Sequence, residues 1–142
     1  MTGNLTGNAD TATTATSATT AATLQTARTI NGTSFDGSAD IVVGIPQNAQ
    51  TSSYTLVLSD AGKHISITTG GVTIPSGVFS VGDAVSIYNN STANQTITQG
   101  TSVTLRKAGT TNTGNRTLSQ YGLCTILCVA SNVFVISGVG VV

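Results

Sequence analysis

The sequence predicts an all-β protein, and three observations carry that prediction. From Tyr54 onward the chain is a succession of short runs rich in Val, Ile and Thr, most alternating apolar with polar residues and separated by Gly, Asn, Ser or Asp clusters. The composition favours threonine, glycine and valine, which suits pleated, half-buried strands better than helices. No stretch repeats its apolar residues at helical spacing.

The first 27 residues are read as an extended arm or stem. Residues 10 to 23, "DTATTATSATTAAT", are Thr, Ala or Ser at 13 of 14 positions, a low-complexity tract with nothing large enough to build a core. Interspersed β-branched threonine works against the helix that alanine alone would favour. Leu5 and Leu24, near the two ends, are the larger apolar anchors, and side chains this small allow neighbouring chains to approach closely.

Residues 28–50 are read as a hairpin clasp followed by a connector. Within "RTINGTSFDGSADI", Asn31-Gly32 and Asp36-Gly37 are pairs that tolerate positive φ and close two-residue hairpins. Ile30, Phe35 and Ile41 are the large apolar groups of this meander, the candidate clasp residues. So small a ribbon cannot bury them by itself, because an isolated hairpin is marginal in water. Gly44 and Pro46 then make "VVGIPQNAQTSS" a connector.

Residues 51–142 are read as an antiparallel β-sandwich or barrel. Its expected strands are "YTLVLS", "KHISIT", "GVTIP", "DAVSIYN", "QTITQ", "SVTLRK", "GLCTILCVA" and "VFVISG". In "GLCTILCVA" both faces are apolar, so the strand is expected to be covered on both sides. The uncharged end "VFVISGVGVV" would be an aggregation hazard if left free, and pairing with neighbouring subunits would protect it.

Cys124 and Cys128 fall on one face of that strand, roughly 13 Å apart and beyond the ~7 Å reach of a disulfide. They read as reduced, buried small hydrophobes. A CxxxC metal pair is the alternative, with His64 as the single histidine to help it.

Charged residues make up 7% of the chain where about 25% is usual, and five basic residues balance five aspartates, with no glutamate. Only Arg106 and Lys107 sit together, so the clustered cations of a nucleic-acid or membrane-surface binder are missing. The N-terminus lacks the pattern of a signal peptide, and no run of 18 apolar residues occurs, which points to synthesis in a cytosol.

Catalytic patterns are equally sparse, and the reading is of a protein that is not an enzyme and takes no cofactor. His64 could act as a general base near Asp60 or Ser66, or sit on a strand surface. Asp36, Ser38 and Asp40 alternate as in a calcium loop but lack its twelfth-position glutamate, and a turn explains them. "GVGVV" precedes no helix and is no dinucleotide loop. Tyr88, Asn89 and Asn90, before the loop "STAN", form a candidate weak glycan-contact loop, where a ring could stack on a sugar and neutral amides could bond its hydroxyls.

The stretches "LTGNADTAT" and "LQTARTINGTSFDGSADI" resemble a module that recurs in tail fibres and related fibrous virion proteins of tailed bacteriophages, over roughly residues 3 to 41. The remainder, from "LSDAGKHISITTGG" through "SNVFVISG", is similar to a C-terminal β-domain of phage fibres and other virion appendages. The resemblance implies an intertwined homotrimer, with three slender stems leading to a knob and the clasp residues of one chain covered by its neighbours. It implies a location in the virion and partners among other capsid or tail proteins. The Thr/Ala run is longer than the short spacer expected before "LQTARTI", and no large attachment domain precedes the module. Those departures suit a short form, such as a capsid decoration or cement protein or a head fibre. The alternative is the distal tip of a tail fibre that recognises a host surface glycan.

Overall fold

A computed structural model describes residues 24, 26–30, 32–41 and 43–142; the expected arm and the turn residue Asn31 otherwise lie outside the described residues. The chain divides into two compact units, Met1–Gly44 and Ile45–Val142.

In the first unit, β1 (Arg28–Ile30) and β2 (Thr33–Phe35) form an antiparallel ribbon. Ile30 pairs with Thr33, so the loop has the two residues that Asn-Gly predicts, and Gly32 takes φ 81°. Asp36-Gly37 closes no second hairpin. Instead the Asp36 carboxylate accepts hydrogen bonds from the Ser38 N–H at 2.9 Å and the Ser38 hydroxyl at 2.6 Å, and the chain bends away without pairing. Aspartate's own short side chain has captured the backbone that a third strand would have used.

The second unit is one sheet, and it corrects the expectation of purely antiparallel pairing. Its strands are β3 (Gln47–Gln50), β4 (Tyr54–Thr55), β5 (His64–Ile67), β6 (Val72–Ile74), β7 (Ala84–Asn89), β8 (Gln95–Gln99), β9 (Thr104–Lys107), β10 (Arg116–Ala130) and β11 (Val133–Val141). Strands β3, β5 and β7 stack in parallel, as do β4, β6 and β8, so the chain alternates between two columns and advances one strand with each pass. Parallel neighbours need a long crossover, usually a helix. Here the crossover for each column is the strand of the other column, with a 3-10 turn (Leu58–Asp60) added in the first pass. The result is a nearly closed, barrel-like sheet running β3-β5-β7-β10-β8-β6-β4, in which β3 and β4 are the ends of the path.

Strand β3 corrects a second expectation, that residues 44–50 only connect. "QNAQ" has no apolar signature because it is an end strand held by its backbone ladder to β5. Its alternate residues Asn48 and Gln50 turn partly inward.

The long strand β10 joins the two columns. Residues 116–118 pair with β8 and residues 123–127 with β7, and between them the ladder to β11 shifts register where Tyr121 takes φ 53°. That irregularity bends one strand so that it borders both columns. Strand β11 returns antiparallel along β10 after Ser131-Asn132, and its other edge takes β9 in parallel.

Inside the coil the side chains stack in files. Ile65, Ile87 and Cys124 are cross-strand neighbours, and so are Val72 and Ile97; all five are almost completely buried. Leu105 and Phe134 face each other across β9 and β11, and Phe79 meets Phe134 edge-on at 6.0 Å between ring centres. Each fully buried Ile, Leu or Val contributes about 1.5–3 kcal/mol. Both cysteines are free thiols within this core.

Candidate functional site

Alternation along β7, β10 and β11 sends every second residue outward, and the register aligns those residues in three rows across the sheet. Tyr88, Leu123 and Val139 form the first row; Ser86, Thr125 and Ser137 the second; Ala84, Leu127 and Val135 the third. His64 on β5 extends the middle row beside Ser86. Two apolar rows therefore enclose a row of hydroxyls ending in an imidazole, and the third row runs on past Val135 to the exposed Arg106 of β9.

This face corrects the expectation that "GLCTILCVA" is covered on both sides. Cys124, Ile126 and Cys128 point into the core, at 1% exposure each, whereas Leu123, Leu127 and Val129 on the opposite face are 53%, 41% and 41% exposed. Within the second unit the coil covers only its concave side, and among that unit's residues no helix or second sheet lies over the other. Val139 is the most exposed of the row at 84%.

The face carries a shallow depression of about 330 Å³ lined by Ile45, His64, Ser86, Tyr88 and Leu123. Ser86 and Thr125 share a hydroxyl–hydroxyl hydrogen bond of 3.0 Å, and His64 Nε2 is 3.2 Å from Gln47 Oε1. The Tyr88 ring is thus placed on a surface that offers neutral hydrogen-bonding groups beside an apolar wall.

The other two residues of the expected glycan loop separate. Asn90 is exposed, but Asn89 is fully buried. Its amide nitrogen donates to the carbonyls of Ala93 (2.7 Å), Leu118 (3.2 Å) and Ser119 (2.8 Å), and its carbonyl accepts from the Ser91 hydroxyl at 2.7 Å. Gln95 continues the brace, accepting from the Gly71 N–H at 3.0 Å and donating to the Thr68 carbonyl at 3.2 Å. "NNSTANQ" is therefore an internal tie between successive passes of the coil, and Asn89 is withdrawn from the surface. Alternation from Tyr88 was the signal in the sequence: neighbouring residues of a strand cannot share a face.

A second internal network surrounds Asp60, which is 1% exposed. Its carboxylate accepts from Asn48 Nδ2, the Tyr54 hydroxyl and the Val57 N–H, each at 2.9 Å. Burial, and then the neighbouring Asp60, hold the Tyr54 phenol above its ordinary pKa. Asp60 is thus occupied as a structural acceptor, while His64 bonds outward to Gln47 and Ser66 is buried, so the expected base and its companions are not assembled. Among the described residues no three His, Cys, Asp or Glu side chains cluster as metal ligands.

Of the clasp residues, Ile30 and Phe35 lie on one face of the β1–β2 ribbon, since the Arg28–Phe35 and Ile30–Thr33 pairs share a side. Ile30 is 44% exposed, and Phe35 and Ile41 are half-buried. Ile41 lies past the Asp36 turn, outside the ribbon.

Comparison with known family models, curated proteins and solved structures finds no match to this chain.

Proposed function

We propose that this chain is a non-enzymatic structural protein of a tailed-bacteriophage virion, a homotrimeric decoration, cement or short fibre protein that stabilises or decorates the particle surface. The observation that supports the reading is the ribbon "RTINGTSF": it folds as the hairpin that its Asn-Gly pair predicts, and it presents Ile30 and Phe35 on one face, opposite Thr33 and Arg28, with Ile30 left 44% exposed. A two-stranded ribbon is marginal in water by itself and requires a covering surface, and neighbouring copies in an intertwined trimer supply one. Its partners are further copies of itself and other capsid or tail proteins.

The test compares virions with and without the protein. Loss of particle stability on heating, with adsorption to the host unchanged, is the expected result. Retained stability with failed adsorption would overturn it in favour of the second reading, a tail-fibre tip that recognises a host surface glycan. The depression beside Tyr88 favours that alternative, because an aromatic ring flanked by neutral hydroxyls suits an uncharged sugar. Release of reducing ends from host polysaccharide would overturn both.

A further inference from the structure

We propose that Asp36-Gly37 is a modification site, at which the folded chain converts its own aspartate to isoaspartate through a cyclic imide. The inference goes beyond the structural reading above and does not depend on it.

The step needs only these two residues and water. The Gly37 peptide nitrogen attacks Asp36 Cγ, its proton and the carboxyl hydroxyl leave together as water, and a five-membered imide closes. Water then adds to one of the two imide carbonyls. Opening at Cγ restores aspartate, whereas opening at the former main-chain carbonyl leaves that carbon as a free carboxylate and carries the chain on through Cγ. The reacting groups belong to neighbouring residues, so the encounter is intramolecular and its rate is set by access and orientation.

The local structure supplies both. Gly37 is exposed, has no Cβ to shield its nitrogen and takes φ 86°. Among the described residues its N–H has no hydrogen-bond partner, and the pair lies past the end of β2, outside any ladder. Ser38 activates the carbonyl. Its N–H at 2.9 Å and its hydroxyl at 2.6 Å both donate to Asp36 Oδ1, so with the proton carried on Oδ2 they polarise the carbonyl under attack and stabilise the charge that grows on Oδ1. The other aspartates lack this combination. Asp10 and Asp40 precede the β-branched Thr11 and Ile41, and Asp60 and Asp83 precede alanine. Asp60 is also buried and bonded by Asn48, Tyr54 and Val57, and Asp83 Oδ2 accepts from the Ser80 N–H at 2.8 Å.

Conversion undoes the bend that follows the ribbon. The Asp36 main-chain carbonyl, which accepts from the Leu24 N–H at 2.5 Å, becomes a carboxylate, and an extra carbon enters the backbone directly after Phe35. The acid form is the one that reacts, because a neutral carboxyl expels water and a carboxylate does not. The Ser38 hydrogen bonds, side chain first and then backbone, hold the Asp36 carboxyl below its ordinary 3.8, so the acid fraction and the rate fall as pH rises through the neutral range.

The test incubates the full-length chain at about pH 5 and about pH 8, well above that carboxyl's range in both cases. Isoaspartate is counted by methyl transfer from an isoaspartate-specific methyltransferase and located by fragmentation of the tryptic peptide that begins at Thr29. It is expected to accumulate at Asp36 about tenfold faster than at Asp40 or Asp83, faster at the lower pH, and to be abolished in Asp36→Glu, whose longer side chain would have to close a six-membered ring. Asn31-Gly32 lies on the same peptide, and its signal is separable because deamidation changes the mass and accelerates with rising pH. Equal rates at Asp36 and Asp83, isoaspartate confined to position 31, or a rate at Asp36 that rises with pH would overturn the proposal.

Discussion

The Tyr54 hydroxyl donates to Asp60 Oδ2 at 2.9 Å, joining the first strand of one parallel column to the 3-10 turn that leads into the other. Asn48 donates to the second oxygen of the same carboxylate. Truncation to Asp60→Ala takes the acceptor from three part-buried donors and is expected to lower unfolding free energy by about 2 kcal/mol, read by denaturant titration. A cycle with Tyr54→Phe should show coupling between the two, of about 1 kcal/mol or more. Strict additivity would mean that the network is not a unit.

Asn89 and Asn90 are adjacent in sequence and opposite in role. Asn89→Ala removes a side chain bonded to three carbonyls and one hydroxyl, and a loss of about 2 kcal/mol is expected from thermal or denaturant unfolding. Asn90→Ala, at an exposed position, should change stability by less than about 0.5 kcal/mol. Equal effects would contradict the assignment of one to the interior and the other to the rim.

Arg116 ends the file that begins Tyr54, Val72, Ile97, and its Nε and Nη2 are buried without a hydrogen-bond partner among the described residues. An unmet guanidinium beside an apolar file destabilises the fold. Arg116→Met keeps much of the volume and removes the unmet donors, so the melting temperature is expected to rise. A fall would show that an acceptor reaches this arginine in solution.

The thiols supply a pH test. Burial pushes the Cys124 pKa from 9.0 up to about 12, and burial followed by the charge of Asp83 moves Cys128 in the same direction. Between pH 9 and about 12 the unfolded chain releases the Cys124 proton while the folded chain keeps it, so stability falls as pH rises through that window and is unaffected by this group below it. Melting temperature should decline less steeply above pH 9 in Cys124→Ala than in the parent. At pH 8 neither thiol should react with a disulfide reagent until the protein is unfolded.

Phe35→Ser, which leaves no carboxylate for its cross-strand partner Arg28 to pair with, removes the large apolar side chain that shares a ribbon face with Ile30. Under the trimer reading it should weaken assembly, seen as dissociation at higher protein concentration and a lower melting temperature. Parent-like mass and melting would remove the clasp from the proposal.

The strand content was legible because it depends on local chemistry. Mostly alternating, β-branched runs marked a strand at each of eight places from Tyr54 onward, although "YTLVLS" is a strand only over Tyr54–Thr55 before the Leu58–Asp60 turn and the strand of "GLCTILCVA" begins earlier, at Arg116; Asn-Gly marked the β1–β2 turn, and the four-residue spacing of Cys124 and Cys128 placed both thiols on one side of a strand, free and buried as the structure has them. Pairing direction was not legible. A short alternating strand looks the same whether its neighbour runs parallel or antiparallel, and the offsets between stacked partners differ from pass to pass (Gln47 to His64, His64 to Ser86, Tyr54 to Val72, Val72 to Ile97), so no repeat announces the coil.

The candidate face divides in the same way. Apolar residues on both sides of "GLCTILCVA" showed from sequence that each side needs cover. Which side the chain covers for itself depends on the curvature of the sheet, set by the β10 irregularity at Tyr121 and by strands distant in sequence. Tertiary structure alone decided that Cys124, Ile126 and Cys128 face the core and that Leu123, Leu127 and Val139 stand outside, because inside and outside exist only once the sheet has closed on itself.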